Sequence, residues 1–172
     1  MPTVTSAGII INNTTETDSD GRPPFSFECY VNGGANYKTE IAETIYNKKP
    51  IGIKTYGNES VIITDEGGYE HTIKFSYTEK VTVYVSLKIK TDTAFEGDSG
   101  KTDIASNLKT YIDNLGVGES VIVSSLYGKI HAVSGVEEVT ELKLSTDNKI
   151  YKTENINAVS YTHLRAHETA AN

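Results

Sequence analysis

The sequence predicts an α+β protein: two small sheet-plus-helix units in series, mostly antiparallel. Three observations carry this. Phe25, Phe27, Cys29 and Val31 alternate with Ser26, Glu28 and Tyr30, and period two marks a strand with one buried face. Val81, Val83, Val85, Leu87 and Ile89 repeat the pattern against Thr82, Tyr84, Ser86, Lys88 and Lys90. Apolar residues return at helical spacing in Tyr37, Ile41, Ala42 and Ile45, and again in Ile104, Ala105, Leu108, Tyr111, Ile112 and Leu115.

The elements follow in order. Residues 1–24 read as an arm or linker. Ile9 to Ile11 can form a short strand, the stretch from Asn12 is polar, and Pro23-Pro24 closes it in extended backbone. The first unit, residues 25–78, opens with the strand from Phe25. Asn32-Gly33-Gly34 ends that strand, and Asn36 is placed to cap a helix over 37–48. Lys48 and Lys49 suit the negative end of the helix dipole, and Pro50 stops the helix. Val61 to Ile63 and the alternating Ile73, Phe75, Tyr77 make a hairpin across Asp65-Glu66-Gly67-Gly68.

The second unit, residues 79–157, opens with the strand from Val81. A helix over 101–115 follows, with Gly116 at the expected left-handed cap. Val121 to Val123 read as a short strand, and Ser124 as the cap of a short helix carrying Leu126 and Ile130. Val139, Leu142 and Leu144 lead through Thr146-Asp147-Asn148 to a return strand from Ile150. The order is therefore β-α-β-β, then β-α-α-β-β, a repeat of arrangement rather than of sequence.

Composition narrows the function. The 172 residues carry 16 Lys+Arg against 23 Asp+Glu, a net charge of −7, which opposes a phosphate-binding role and argues against a nucleic-acid partner. No apolar run is long enough for a membrane span or leader, so no membrane partner is expected. A single cysteine, Cys29, excludes an intrachain disulfide and a Cys-rich zinc site. Its alternation with Phe25, Phe27 and Val31 makes it a small buried hydrophobe rather than a nucleophile.

Chemistry-bearing residues are sparse. His71 sits among Thr and Lys in a hairpin strand, and His131 lies in the short helix. Neither has a local Ser, Asp or Cys partner in a catalytic arrangement. His163 and His167 have the i,i+4 spacing of a metal pair on a helix, with Glu168 after them, but a disordered tail is the simpler reading of this segment. Asp65, Glu66 and Glu70 lack the alternation of a calcium loop. The glycine pairs lack the endings of phosphate-binding loops. No catalytic, cofactor or metal site is expected, and the chain reads as a non-enzyme.

A set of ordered segments resembles the C-terminal portion of the phage baseplate J-like family, contractile-tail baseplate wedge proteins. The first is Asp20-Gly21-Arg22-Pro23-Pro24-Phe25-Ser26-Phe27-Glu28 with Val31, Gly33 and Gly34. The second is Glu40-Ile41-Ala42, Ile45, Lys49-Pro50-Ile51-Gly52-Ile53 and Thr55-Tyr56-Gly57-Asn58. The third is the hairpin Val61 to Asp65 with His71-Thr72-Ile73-Lys74-Phe75. The fourth is Leu115-Gly116-Val117-Gly118-Glu119-Ser120-Val121 with Leu126-Tyr127 and Val133-Ser134-Gly135-Val136. Together they span residues 18–157.

The resemblance implies a structural virion protein, assembled in the host cytoplasm and located in the tail baseplate. Its partners would be other baseplate proteins and copies of itself. Members of the family are longer, and their N-terminal portion has no counterpart here. From Ala158 onward the chain departs from the family. Residues 160–169 resemble translated sequencing-adaptor read-through, so 158–172 are expected to be non-native or disordered.

Two surfaces suit contacts. The polar face of the 80–90 strand offers Tyr84 as an interface anchor beside Lys88, against the simpler reading of Lys guarding a sheet edge. The loop Tyr56-Gly57-Asn58 is the feature that a host-surface binding module of a tail, the alternative function, would display. A hydrolase would instead need His131 to meet Glu137 or Glu138.

Overall fold

In the computed structural model, residues 4–159 and 161–167 are described. The chain divides into two compact units, Met1–Glu79 and Lys80–Asn172. Both are sheet-plus-helix assemblies, so the class is α+β.

Unit 1 holds β1 (Val4–Asn12), β2 (Ser26–Gly33), α1 (Lys38–Lys48), β3 (Lys54–Tyr56), β4 (Glu59–Thr64) and β5 (Glu70–Tyr77). The sheet order is β1-β2-β5-β4, with β3 also paired to β2. β1–β2 and β4–β5 are antiparallel, while β3 and β5 run parallel to β2. The far edge of β2 is shared. Ser26 to Glu28 pair with β3, and Tyr30 and Val31 pair with β5.

β2 is therefore central, and this corrects the one-faced strand that its alternation predicts. One face, Phe27, Cys29 and Val31, packs with Ile41, Ala42 and Ile45 of α1 and with Ile73 and Phe75. The other face, Ser26, Glu28, Tyr30 and Asn32, is buried as well, and it is polar.

A second correction concerns residues 1–24. Rather than an arm, Val4–Asn12 is a nine-residue edge strand whose Ile9 and Ile11 lie opposite Cys29 and Phe27. Exposure alternates from Ser6 to Asn12, but Ile9 and Ile11 fall on the exposed side, so apolar residues do not mark the more buried face. The chain then folds back. The Asn12 amide group donates to the carbonyls of Glu16, Arg22 and Pro23, and its Oδ1 accepts from the Thr14 amide, which ties 13–23 into a compact loop.

α1 begins after Tyr37 without a side-chain cap, so Asn36 does not play the predicted role. The turn between β3 and β4 is tight. Gly57 has φ 149°, and a Cβ there would lie 2.3 Å from the Phe75 carbonyl carbon. Only glycine lets β3 turn against β5 at this distance.

Unit 2 holds β6 (Glu79–Thr91, whose first residue lies at the boundary), α2 (Asp98–Asp113), α3 (Val123–His131), β7 (Val136–Ser145) and β8 (Thr162–Ala166). The sheet order is β7-β6-β8. Val83, Val85 and Leu87 of β6 share one core with Ile104, Leu108 and Ile112 of α2, Leu126 and Ile130 of α3, and Leu142 and Leu144 of β7.

Sequence boundaries shift here. α2 ends at Asp113 with the Asn114 amide bonded to Thr110 and Ile112, and Gly116 is not in the left-handed region. α3 takes its cap from a distance: the Val123 amide donates to Asn155 Oδ1 at 2.9 Å, so Ser124 is not the cap. The predicted strands at 121–123 and 150–156 reduce to two isolated bridges, Val121 with Ile156 and Leu144 with Lys152.

The last strand corrects the expectation of disorder at residues 162–166. β8 adds to β6, Leu164 is 1% exposed within the core, and the His167 amide donates to the Val83 carbonyl at 2.8 Å. Thr162-His163-Leu164-Arg165-Ala166 alternates only briefly, which hides it in the sequence. Ser160 and residues 168–172, including Glu168, lie outside the described residues, as does Met1.

Candidate functional site

The most organised polar cluster sits on the second face of β2. Arg22, 4% exposed, donates from Nε to Asp18 Oδ2 at 2.7 Å and from Nη1 to Glu28 Oε2 at 3.1 Å, and it also pairs with Asp20. Glu28, 3% exposed, accepts further bonds from Tyr30 Oη at 2.7 Å and Ser76 Oγ at 2.6 Å. Ser76 Oγ in turn accepts from the Asn58 amide at 3.0 Å.

One buried cation thus joins the 13–23 loop to β2, and Glu28 extends the connection to β5 and the β3–β4 turn. Buried charges are tolerated only when paired and hydrogen-bonded, and this cluster meets that condition. Burial pushes Asp18 up, but hydrogen bonds from the Arg22 backbone and guanidinium outweigh it, and its carboxyl stays below the usual carboxylate range. Burial and the neighbouring Glu28 carboxylate push the Tyr30 phenol well up. Both carboxylate oxygens of Glu28 are committed to internal partners, so the cluster holds the fold.

The residues singled out from sequence are placed as follows. Tyr56 is half-buried, with its hydroxyl 3.5 Å from the Asp20 carbonyl, while Asn58 is exposed beside it. Both flank Gly57 in the turn described above. Tyr84 is half-buried and stacks on the His167 ring, centroids 4.7 Å apart. Lys88 is exposed and paired with Glu141 at 2.8 Å.

Around Lys88 a ladder of charges runs between β6 and β7, with Lys90 paired to Glu138 and Lys143 to Glu141. Hydrogen bonds from Lys143 and Lys88 bring Glu141 down to about 2. Exposed pairs of this kind add little stability each, but they keep the face polar.

The histidines are dispersed. His71 Nε2 lies 2.8 Å from Asp65 Oδ2 and its ring packs on Tyr46. That His–Asp pair fixes the hairpin turn, where Asp65 also accepts from the Gly67 and Tyr69 amides. His131 is exposed at the end of α3, and Glu138 is engaged by Lys90. His163 lies in a strand, so the helical spacing to His167 is not realised. Burial, reinforced by Lys80 and opposed by Asp113, lowers the His163 imidazole.

Among the described residues no three His, Cys, Asp or Glu side chains gather as a metal site, and no helix is long and apolar enough to cross a membrane. Cys29 is buried, and burial pushes its thiol up.

The described surface includes a polar and an apolar depression. In unit 2 a polar one of about 310 Å³ is lined by Ser145, Asp147, Lys152 and Asn155 among others. Asp147 is held at about 2 by the Ile150 and Lys149 amides and the Ser145 hydroxyl, so its carboxylate serves the turn. In unit 1 an apolar groove of about 430 Å³ runs beside α1, bordered by Ile9, Ile11, Phe25, Phe27, Ile45 and Ile53. α1 packs over β5 and β4, and the β1 side of that sheet face is left open. This groove gives no signal in the sequence, because the short strand read at Ile9 to Ile11 is assigned there to an arm and not to the sheet.

The charged clusters make acid sensitivity testable. Asp18, Asp65, Asp113, Glu141 and Asp147 all have carboxyls below their ordinary values, so folding binds them in the ionised form. His163 is likewise held deprotonated. A depressed folded pKa means that the unfolded state binds more protons, so stability is complete above the unfolded values and falls as pH drops. The expected result is a urea midpoint that declines gently below about pH 6.5 as His163 protonates, then steeply from about pH 4 to about pH 2. Midpoints flat across that range would contradict the assignments.

No protein-family model matches this chain, and no curated protein matches it.

Proposed function

We propose that this protein is a structural component of a contractile phage or phage-like tail baseplate, acting through protein–protein interfaces and not as an enzyme. The observation that carries the reading is where three of the four family-like segments fall. Asp20–Glu28 contains the buried Arg22–Glu28 pair. Thr55–Asn58 contains the glycine turn against Phe75. Val61–Asp65 and His71–Phe75 are the paired strands of the hairpin. The resemblance therefore lies in residues that position the backbone, which is the part of a sequence that a shared fold constrains.

The chemistry of the surface supports the same reading. Arg22, Glu28, His71 and Lys88 are consumed in internal pairs, and the groove beside α1 is apolar. Assembly proteins act by burying surface, and permanent interfaces reach roughly 2,000–5,000 Å². Contacts between unlike faces close into a ring when the rotation permits. Two separately cored units in one chain suit an assembly that rearranges when a sheath contracts. The partners would be copies of this chain and other baseplate proteins, in the virion tail.

Purified tail particles test this directly. Mass spectrometry is expected to find peptides of this chain at fixed stoichiometry with the tail tube and sheath. Disruption of its gene is expected to leave tails without assembled baseplates. Recovery of the protein only in the free soluble fraction, with intact tails lacking it, would overturn the reading. A host-binding role is less supported, since Tyr56 is tied to Asp20 and only Asn58 of the loop is exposed.

A further inference from the structure

We propose that β1 is the contact strand of a weak homodimer, pairing edge to edge and antiparallel with β1 of a second copy. Three features of unit 1 meet there. β1 ends the sheet, and among the described residues its outer edge has no partner strand, so alternate backbone amides and carbonyls along nine residues face outward. The strand carries no charged residue and no proline, the devices by which natural edges refuse additional strands. Its Ile9 and Ile11 are 63% and 68% exposed beside the open groove.

A fourth feature points the same way. Phe25 borders that groove, is 54% exposed, and is held at φ 51°, a left-handed conformation costly for an aromatic residue. Strain together with an exposed ring on an apolar rim marks a side chain presented for contact.

Charge selects the occupant. A two-fold contact sets a strand against its own copy, so any charge meets its like. In a chain of net charge −7, a long neutral edge is the one suited to self-pairing. β7 shows the contrast, with Glu137, Glu138 and Glu141 against a single Lys143 along ten residues. Self-pairing there would bring carboxylates together.

Size sets the strength. Nine residues span about 30 Å, and a sheet edge about 10 Å deep gives roughly 300 Å² per copy before the isoleucine tips are added. That lies below the roughly 1,200 Å² of stable complexes, so the dimer is reversible and concentration-dependent rather than obligate. Nothing in this contact depends on the tail assignment, and the purified full chain can be tested alone.

Sedimentation velocity over about a hundredfold range of concentration reads the equilibrium. The full chain is expected to shift from monomer toward dimer. Ile9→Lys and Ile11→Lys, at exposed positions that tolerate the change, are each expected to weaken dimerisation by about tenfold or more through the buried unpaired charge. Ile62→Lys, equally exposed on β4 at the opposite edge, is expected to leave it unchanged. Circular dichroism confirms that each variant is folded. In hydrogen exchange, β1 amides are expected to gain protection as concentration rises. A chain that stays monomeric throughout, or a dimer indifferent to Ile9→Lys and Ile11→Lys or broken by Ile62→Lys, would overturn the proposal.

Discussion

Replacing Arg22 with alanine is expected to destabilise unit 1 by about 3–5 kcal/mol, the range for removing one member of a buried ion pair. The mechanism is the orphaned carboxylate. Glu28 would keep its Tyr30 and Ser76 donors but lose the cation that balances its charge, in a site 3% exposed. Asp18 and Asp20 would lose the same partner, and the 13–23 loop would lose its anchor on β2. Chemical denaturation of the full chain reads the effect. Arg22→Met combined with Glu28→Gln is expected to recover a good part of the loss, because the double change removes the unbalanced charge while keeping an acceptor. A single variant as stable as the parent would show that the pair is exposed to water in solution.

Gly57→Ala is expected to cost roughly 3 kcal/mol or more, at the upper end of single substitutions. The added methyl would lie 2.3 Å from the Phe75 carbonyl carbon and 2.4 Å from its oxygen. Backbone atoms in a paired strand cannot step aside as a flexible side chain can, so β3 would separate from β5. Gly52→Ala is the control. Its φ is +83° but nothing lies within 4 Å of the added carbon, so it pays only the conformational penalty of about 1–2 kcal/mol. Equal costs at the two positions would mean that conformation, not crowding, governs the β3–β4 turn.

The sequence-readable parts of the fold are those where burial follows one simple period. β6 alternates from Val81 to Lys90, and α1 and α2 keep apolar stripes on one side, so all three are visible without coordinates. Of β1 only the piece at Ile9 to Ile11 is visible, because this edge strand leaves Ile9 and Ile11 exposed and buries little apolar surface. β8 is five residues long and its burial comes from the core of unit 2, a long-range effect that no local window contains.

The Arg22 cluster shows the same limit in another form. Glu28 lies at an outward position of the β2 pattern, where a carboxylate reads as solvated. It is buried because the loop after β1 returns over it, bringing an arginine six residues away in sequence to within hydrogen-bond distance. Two charges flanking a Pro-Pro pair are the only local trace of that pairing, and they do not fix its geometry. The cap of α3 by Asn155 is likewise invisible, since residue 155 has no periodic relation to Val123.

The position of β8 bears on how the chain matures at the ribosome. All strands of the first sheet are complete once Tyr77 has emerged, whereas Leu164 joins the second core only after the whole of α2, α3 and β7 has been made. At about 5–20 residues per second, the intervening stretch takes roughly 4–18 s to translate. For that interval a closed N-terminal half would tether a nascent partner whose β6 still shows one bare margin, a window in which a chaperone or a neighbouring nascent chain has its best access.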